Sequence, residues 1–580
     1  MAAATVFVAL ATLVIAAQTF VIKRQATEQL GSSDNCFSPI YCRGDLLKTV
    51  QLAEIFNDSK TFVDLYQYND PEITLANFQT LMRETNNNPN RTQIAKYVSE
   101  NFAQQDELIS YDLPDWQENP PILKNIQDVN FRQWAKDLNA IWRTLARKIR
   151  PSVKENPQRH SIIYVENGFI IPGGRFKEFY YWDSYWVIEG LLLCNMPQTA
   201  KGMIDNFISM VDRFGFIPNG GRVYYLMRSQ PPMLIPMVDK YLEATNDQKY
   251  LSSIIATLDK EFSFWQNNKT VRVEKNCKTY TLARYSVDSS GPRPESYRED
   301  YTLSQKLPEE QRIPFYNDII AAAESGWDFS HRWYKVSGDG EMSLLNISTS
   351  SFIPVELNAI LQRNARLMSL FHARLGNVEK SKSYEKVARD YQIAIDEVLW
   401  NDEEGAWLDY DINTNQGHKS FYPSNVAPLY TMSYDKSKAP YYARKIVAYL
   451  KNNKIDTYYG GTPASLLQTG EQWDYPNAWP PLQSFVVAGL HQTADKQAIQ
   501  FSEELCDRWL KANYKGYVEY DKMFEKYSAI EPGQAGGGGE YQIQTGFGWT
   551  NGVVLGFFEL CTKATSGDTA VLIEDNEVDR

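Results

Sequence analysis

Between Pro172 and Trp186 the chain reads PGGRFKEFYYWDSYW. Two cations, Arg175 and Lys177, stand here with two carboxylates, Glu178 and Asp183, and a run of Phe, Tyr and Trp rings, all behind a flexible Pro-Gly-Gly entry. Hydroxyl groups need charged or planar donors and acceptors at fixed angles, and the C–H faces of a pyranose ring stack on aromatic planes. The mixture therefore suits a polyhydroxylated ligand. A second stretch, QWDYPNAWPP from Gln472 to Pro481, uses the same vocabulary. Either run alone could be ordinary aromatic core; two runs that each pair Trp with Asp point to a site.

Cleaving an acetal near neutral pH needs one protonated carboxyl to protonate the leaving oxygen and one carboxylate to activate water or attack carbon. Among 71 acidic residues most are solvated surface charges, so local context must sort them. Asp328 lies in ESGWDFSHRW, Glu324 to Trp333, between Trp327 and Phe329, and an apolar aromatic flank raises a carboxyl pKa as a general acid requires. Glu525, in FEKY, is the second candidate, with Lys526 beside it to favour the ionised form. The glycine run Gly536 to Gly539, before Glu540 and Tyr541 and continuing to GFGWTNG, suits a lid that closes on ligand.

These residues must be carried by something large. A chain of 580 residues, 43% hydrophobic and 13% aromatic, can bury a sizeable core, and helical periodicity dominates it. Leu357, Ile360, Leu361, Met368, Phe371 and Leu375 form one amphipathic series, and after Gly376 a second runs through Tyr384, Val387, Tyr391, Ile395 and Val398. A short non-helical piece, WLDYD at Trp407 to Asp411, follows. The unit recurs as a helix from Asn477 to His491, another from Lys496 to Leu510, and a loop, YVEYD, at Tyr517 to Asp521. Similar pairs run from Asp183 to Phe214 and from Pro231 to Trp265, and an earlier helix passes through Trp134, Leu138, Trp142, Leu145 and Ile149. Extended alternation is rare, so little sheet is expected. Hairpins stacked in a closed ring would bury their apolar faces and leave loops at one end for a pocket; an open helical solenoid would show a more regular repeat. The polar segment from Cys36 to Pro121 reads as a helical extension outside the ring.

The formal charge is −12, and no basic cluster follows a phosphate backbone, so nucleic acid is not an expected partner. Residues 1–22 are an apolar run ahead of Lys23 and Arg24 with small residues near Ala16, read as a secretory signal peptide; retained, they would be a membrane anchor. Cys36 and Cys42 suit a small disulfide loop in an oxidising lumen. Cys194, Cys277, Cys506 and Cys561 lie in apolar, helical surroundings, where buried thiols and bridges are both open readings. Asn57, Asn90, Asn268 and Asn346 are glycosylation sequons. Neither the cysteine spacing nor the five histidines forms a metal-ligand pattern, and no metal or cofactor is expected.

PGGRFKEFYYWDSYW and QWDYPNAWPP, reinforced by NGGRVYYLMRSQPP (Asn219 to Pro232), PRPESYRED (Pro292 to Asp300), ESGWDFSHRW and GGGGEYQIQTGFGWTNG, closely resemble the motifs of the trehalase family of glycoside hydrolases, over Asp45 to Lys563. The resemblance implies an all-α (α/α)6 barrel, here residues 122–563, with an N-terminal extension at 23–121 and a polar tail at 564–580. It also implies hydrolysis of α,α-trehalose to two glucose molecules with inversion. By motif position, Asp328 matches the family's general acid and Glu525 its general base. Arg175, Trp182, Asp183, Asn219, Arg228, Gln230, Arg293, Glu295 and Glu540 match its sugar-contacting positions, and Phe176, Tyr180 and Trp473 are expected to line the same pocket. Another helical-barrel exo-glycosidase, or a non-catalytic sugar-binding protein, are the alternatives. Neither a G-x-S-x-G elbow nor a phosphate-cradling glycine loop is present.

Overall fold

The computed structural model describes residues 36–104, 107–335 and 343–561. The apolar run at 1–22 and the tail at 564–580 lie outside them.

Among the described residues, twelve helices pair into a double ring. In chain order they are α1 (Val129–Leu145), α2 (Asp183–Leu193), α3 (Pro197–Phe214), α4 (Leu234–Thr245), α5 (Gln248–Asn268), α6 (Val355–Arg374), α7 (Val378–Ala394), α8 (Ala427–Thr431), α9 (Ala439–Asn452), α10 (Pro480–His491), α11 (Lys496–Tyr520) and α12 (Gly548–Cys561). The even-numbered helices contact one another in succession, α2 to α4 to α6 to α8 to α10 to α12 and back to α2, and the odd-numbered ones pack around them. This is the (α/α)6 barrel.

Which helix goes inside follows from where its apolar residues lie. Outer α1 buries only a stripe, Phe131, Trp134, Leu138, Trp142 and Leu145, at spacings of three and four. Inner α10 and α12 are apolar nearly all round and buried nearly throughout; a helix without a polar face must be enclosed by others. The ring closes where α2 meets α12 through glycines. A Cβ on Gly190 would stand 2.9 Å from the Gly552 Cα, and one on Gly552 would stand 2.0 Å from the Trp186 carbonyl oxygen, so the two backbones touch only because neither position carries a side chain.

The connections that follow inner helices are short, whereas those that lead from an outer helix to the next inner one are long and gather at one end. The longest, between α5 and α6, holds helices at Tyr297–Ser304 and Glu309–Ser325 and the main strand pairing, Thr270–Lys275 against Lys278–Ala283. Because each long connection enters an inner helix at its N-terminus, the residues gathered there face the positive ends of helix dipoles.

Some boundaries differ from the sequence reading. α10 starts at Pro480, not Asn477, since consecutive prolines suit the first helical turn and Asn477–Ala478 is a strand. α1 stops at Leu145, and Ile149 belongs to the strand Ala146–Ile149. YVEYD is not a loop: α11 continues to Tyr520 because Trp509, Ala512, Asn513 and Gly516 carry its buried face onward, and Asp521 ends it in the left-handed conformation. Cys506 and Cys561 form a disulfide between α11 and α12, and Cys36 bonds Cys42. Cys194 is a buried thiol, whereas Cys277 is exposed in the turn of the β-hairpin rather than helical.

The segment from Cys36 onward is helical, at Asp45–Leu52, Lys60–Val63, Pro71–Glu84 and Arg91–Asn101. It has its own core around Phe62, Phe78, Tyr97 and Phe102, and that core is continuous with Tyr180, Tyr225 and Met227 of the ring.

Candidate active site

A cavity opens at the end of the ring where the long connections meet. Asp328 and Glu525 both line it, as do Arg175, Phe176, Tyr180, Trp182, Asp183, Asn219, Arg228, Gln230, Arg293, Glu295, Trp473 and Glu540. Every candidate residue is therefore brought to one place. Tyr225, Gln472, Trp479, Tyr541 and Trp549 also line it.

Asp328 owes its position to a helix stop. The helix Glu309–Ser325 ends on Gly326, whose φ of 76° is the left-handed conformation glycine adopts freely. A Cβ there would also lie 2.7 Å from the Trp182 ring. The chain then sinks Trp327 into the core and turns Asp328 toward the cavity. Its backbone is strapped to the second motif: Gln472 Nε2 donates to the Asp328 carbonyl at 2.6 Å, and the Trp473 N–H donates to the Phe329 carbonyl at 3.0 Å. Asp474 secures the next residues, accepting from Ser330 Oγ at 2.7 Å and the His331 N–H at 2.9 Å. The Trp-Asp pairing read in QWDYPNAWPP thus divides its labour. Trp473 faces the cavity, stacked parallel on Trp479 at 3.9 Å, while Asp474 holds the segment after Asp328 from behind.

Glu525 follows the end of α11 and is buried. One carboxylate oxygen, Oε1, accepts from the Tyr541 hydroxyl at 2.8 Å. The other, Oε2, is buried with no partner among the described residues, so its hydrogen-bonding capacity is left for something inside the cavity. Lys526 turns away and donates to Gln472 Oε1 at 2.8 Å. A hydrogen-bonded chain, Lys526 to Gln472 to the Asp328 carbonyl, therefore joins the residue after one carboxylate to the backbone of the other.

The arginines are held by carboxylates and by rings. Arg228 donates to Asn219 Oδ1 and Glu295 Oε1, both at 2.8 Å, while its Nη1 is buried without a partner among the described residues. Arg293 is gripped by Asp300 at 2.9 and 2.7 Å, donates to Glu540 Oε1 at 3.0 Å, and stacks on Phe329. Fixed guanidinium planes of this kind present their remaining donors at set angles. Gln230 Oε1 accepts from the Trp182 N–H at 3.1 Å, which orients its amide.

The two carboxyl groups differ in setting. Burial pushes Asp328 up to about 7, the charges of Arg293 and Arg228 opposing and that of Glu540 assisting, so a proton is available near neutrality. Burial also raises Glu525, but Lys526 and the Tyr541 hydroxyl pull it back toward the ionised form. Asp183, first residue of α2, is pushed up to about 8 by burial, with Glu525 and Asp328 adding to the rise. Ionised Glu525 and Asp328 therefore oppose ionisation of Asp183. A proton donor, a carboxylate with a free oxygen, fixed cations and stacked indoles are together what acetal hydrolysis on a sugar requires. Among the described residues no group of His, Cys, Asp and Glu is arranged to hold a metal ion.

The sequence reading did not single out Gln472, Trp479, Tyr541, Trp549 or Tyr225 as site residues, although all fall inside the motifs it quoted. It gave no sign of Asp58, in the N-terminal segment, which meets Arg175.

Residues 54–562 match the model of the trehalase family. The chain is 59% identical to a trehalase of Pimpla hypochondriaca over 537 residues, covering 92% of each. It is 45% identical to a trehalase of Homo sapiens over 541 residues, covering 93% of this chain and 92% of the relative. Among solved structures it resembles the neutral trehalase of Saccharomyces cerevisiae, with a TM-score of 0.54 and 23% identity, covering 68% of this chain and 73% of the other.

Proposed function

The chain belongs to the trehalase family and is a glycoside hydrolase that splits trehalose into two glucose molecules, and on that premise we propose that Asp328 is its general acid and Glu525 its general base. Asp328 protonates the bridging oxygen as the bond to the anomeric carbon breaks. Glu525 takes a proton from a water that attacks the opposite face of the ring, and the product of that half inverts. The observation that carries this reading is that the two carboxylates share a cavity and differ in setting: Asp328 is raised to about 7, and Glu525 keeps a buried oxygen unpartnered.

The other cavity residues serve as sugar contacts in this reading. Arg175, Asn219, Arg228, Gln230, Arg293, Glu295 and Glu540 meet hydroxyls, Phe176, Tyr180, Trp182 and Trp473 supply apolar walls, and Asp183 stands close enough to both carboxyls to feel their charges. The test is the anomeric form of the first glucose released, followed by NMR. Inversion at one centre yields equal α- and β-glucose early in the reaction. Two α-glucose molecules per turnover would rule it out.

The reading extends to secretion, with residues 1–22 as a cleaved signal peptide and N-glycans on the sequon asparagines. Two disulfides suit an oxidising compartment, and Asn57, Asn90 and Asn268 are exposed. Among the described residues no helix is long and apolar enough to cross a membrane. N-terminal sequencing of the mature protein from a culture medium tests this; a blocked or intact Met1 terminus on a membrane-bound form would contradict it.

A further inference from the structure

One loop of the N-terminal segment, Phe56 to Lys60, reaches the cavity wall. Asp58 Oδ2 accepts from Arg175 Nε at 3.0 Å and Oδ1 from Arg175 Nη2 at 2.7 Å, a two-point grip that fixes both the position and the plane of the guanidinium. The same Oδ1 accepts from the backbone N–H of Lys60 at 2.9 Å, so Asp58 is itself tied down. Arg175 lines the cavity, stacks over Tyr541 at 4.8 Å, and is followed by Phe176. Lys60 makes a parallel contact: its ammonium pairs with Glu178 Oε1 at 2.8 Å, and Glu178 accepts from the hydroxyl of Tyr180, another cavity residue.

The loop is anchored from the opposite wall as well. Arg298 donates to the carbonyls of Phe56 and Asn57 at 3.1 and 2.8 Å. Ser59 Oγ donates to Glu299 Oε2 at 2.7 Å, and Gln51 Nε2 bridges the carbonyls of Ser59 and Pro294. The loop thus clasps the stretch that carries Arg293 and Glu295 with one side and the stretch that carries Arg175 and Tyr180 with the other. A segment that only covered apolar surface would have no need of a bidentate ion pair aimed at a cavity arginine.

We infer that Asp58 is a positioning residue for trehalose hydrolysis: it sets the Arg175 guanidinium in the cavity wall, so the sugar site is completed by the N-terminal segment. The inference rests on reading Arg175 as a sugar contact. With Asp58 neutral, Arg175 keeps its charge but loses its fixed plane, and substrate is held out of register.

The test is a cycle of full-length variants, wild type, Asp58→Asn, Arg175→Ala and the double variant, assayed for glucose release from trehalose with melting temperatures alongside. Asn still accepts from the Lys60 N–H and leaves the Asn57 sequon intact, so neither the turn nor glycosylation changes. Asp58→Asn is expected to lower kcat/KM by about 10- to 100-fold, mainly through KM, the scale of a small misplacement of a binding group. Asp58→Glu, which keeps the charge, should recover part of the loss, and Asp58→Asn should have no further effect once Arg175 is Ala. The inference is overturned if Asp58→Asn leaves kcat/KM unchanged while Arg175→Ala lowers it, or if Asp58→Asn lowers it equally in both backgrounds, which would mark a role in folding alone. If Arg175→Ala itself has no effect, the reading of Arg175 fails and this inference goes with it.

Discussion

Tyr541 offers the sharpest test of how the base is tuned. Among the described residues its hydroxyl is the one donor to the Glu525 carboxylate, at 2.8 Å on Oε1, while Oε2 has none. A hydrogen bond to an ionised group contributes about 1.5–3 kcal/mol, and a pKa unit corresponds to about 1.4 kcal/mol. Replacing Tyr541 with Phe removes the donor and retains the ring over which Arg175 stacks. The donor favours the charged form, so its loss removes that stabilisation of the carboxylate and moves the Glu525 pKa upward. In the profile of kcat/KM against pH, the acid limb reports the base that must be ionised and the alkaline limb the acid that must be protonated. Tyr541→Phe should therefore shift the acid limb to higher pH, toward the alkaline limb set near 7 by Asp328, and narrow the active range from its acid side only. Initial rates of glucose release at low trehalose concentration, measured in wild type and variant across both limbs, read this directly. An acid limb that stays in place in a folded, active variant would show that Glu525 is not the group titrating there, or that Tyr541 does not tune it.

Four further outcomes follow from the geometry. Asp328→Ala should lower kcat by about 10²–10⁴-fold or more with little change in melting temperature, since the backbone of Asp328, not its side chain, carries the hydrogen bond from Gln472; substantial residual turnover would remove Asp328 from the role of acid. Glu540→Gln takes away a charge that raises Asp328, so the alkaline limb should move to lower pH, and a move upward would contradict the assigned electrostatics. Gly552→Ala puts a methyl where a Cβ meets the Trp186 carbonyl oxygen at 2.0 Å, and calorimetry should find the barrel destabilised by several kcal/mol or unable to fold, on the scale of severe overpacking; a variant as stable as wild type would mean the α2–α12 contact is looser than described. Cys561→Ser breaks the link between α11 and α12 and should lower stability by about 2–4 kcal/mol, read as a drop in melting temperature absent when both forms are compared under reducing conditions.

Much of the ring was legible from periodicity: α6 and α7 have clear apolar stripes separated by Gly376, which takes a φ of 77°. α12 was not: GFGWTNG reads as part of a glycine-rich lid, yet Gly548 to Gly552 are buried in the first turns of an inner helix, where Gly552 lets α12 meet α2. Misreadings came where local composition argued against tertiary packing. YVEYD looks like a turn, but one face of α11 is still being buried at Asn513 and Gly516, and burial outweighs the weak intrinsic preference. Cys506 and Cys561 could not be paired from spacing, because their meeting depends on α11 lying against α12. In the site, residues were legible where side-chain type alone signals chemistry, as with arginines and carboxylates among indoles. Gln472 and Tyr541 were not, for an amide and a phenol acquire meaning only from distances to Asp328 and Glu525. Asp58 lies 117 positions from Arg175 in a polar stretch, and no periodicity or motif marks it.

The meeting of Gly190 with Gly552 bears on how such an enzyme comes into being. The first and last staves of the inner ring are neighbours, so hairpins stacked in chain order stay an open crescent until α12 docks on α2. Asp183 opens one of those staves, and Glu525 and Trp549 accompany the other. The cavity that these three residues line is therefore whole only once α12 has docked on α2.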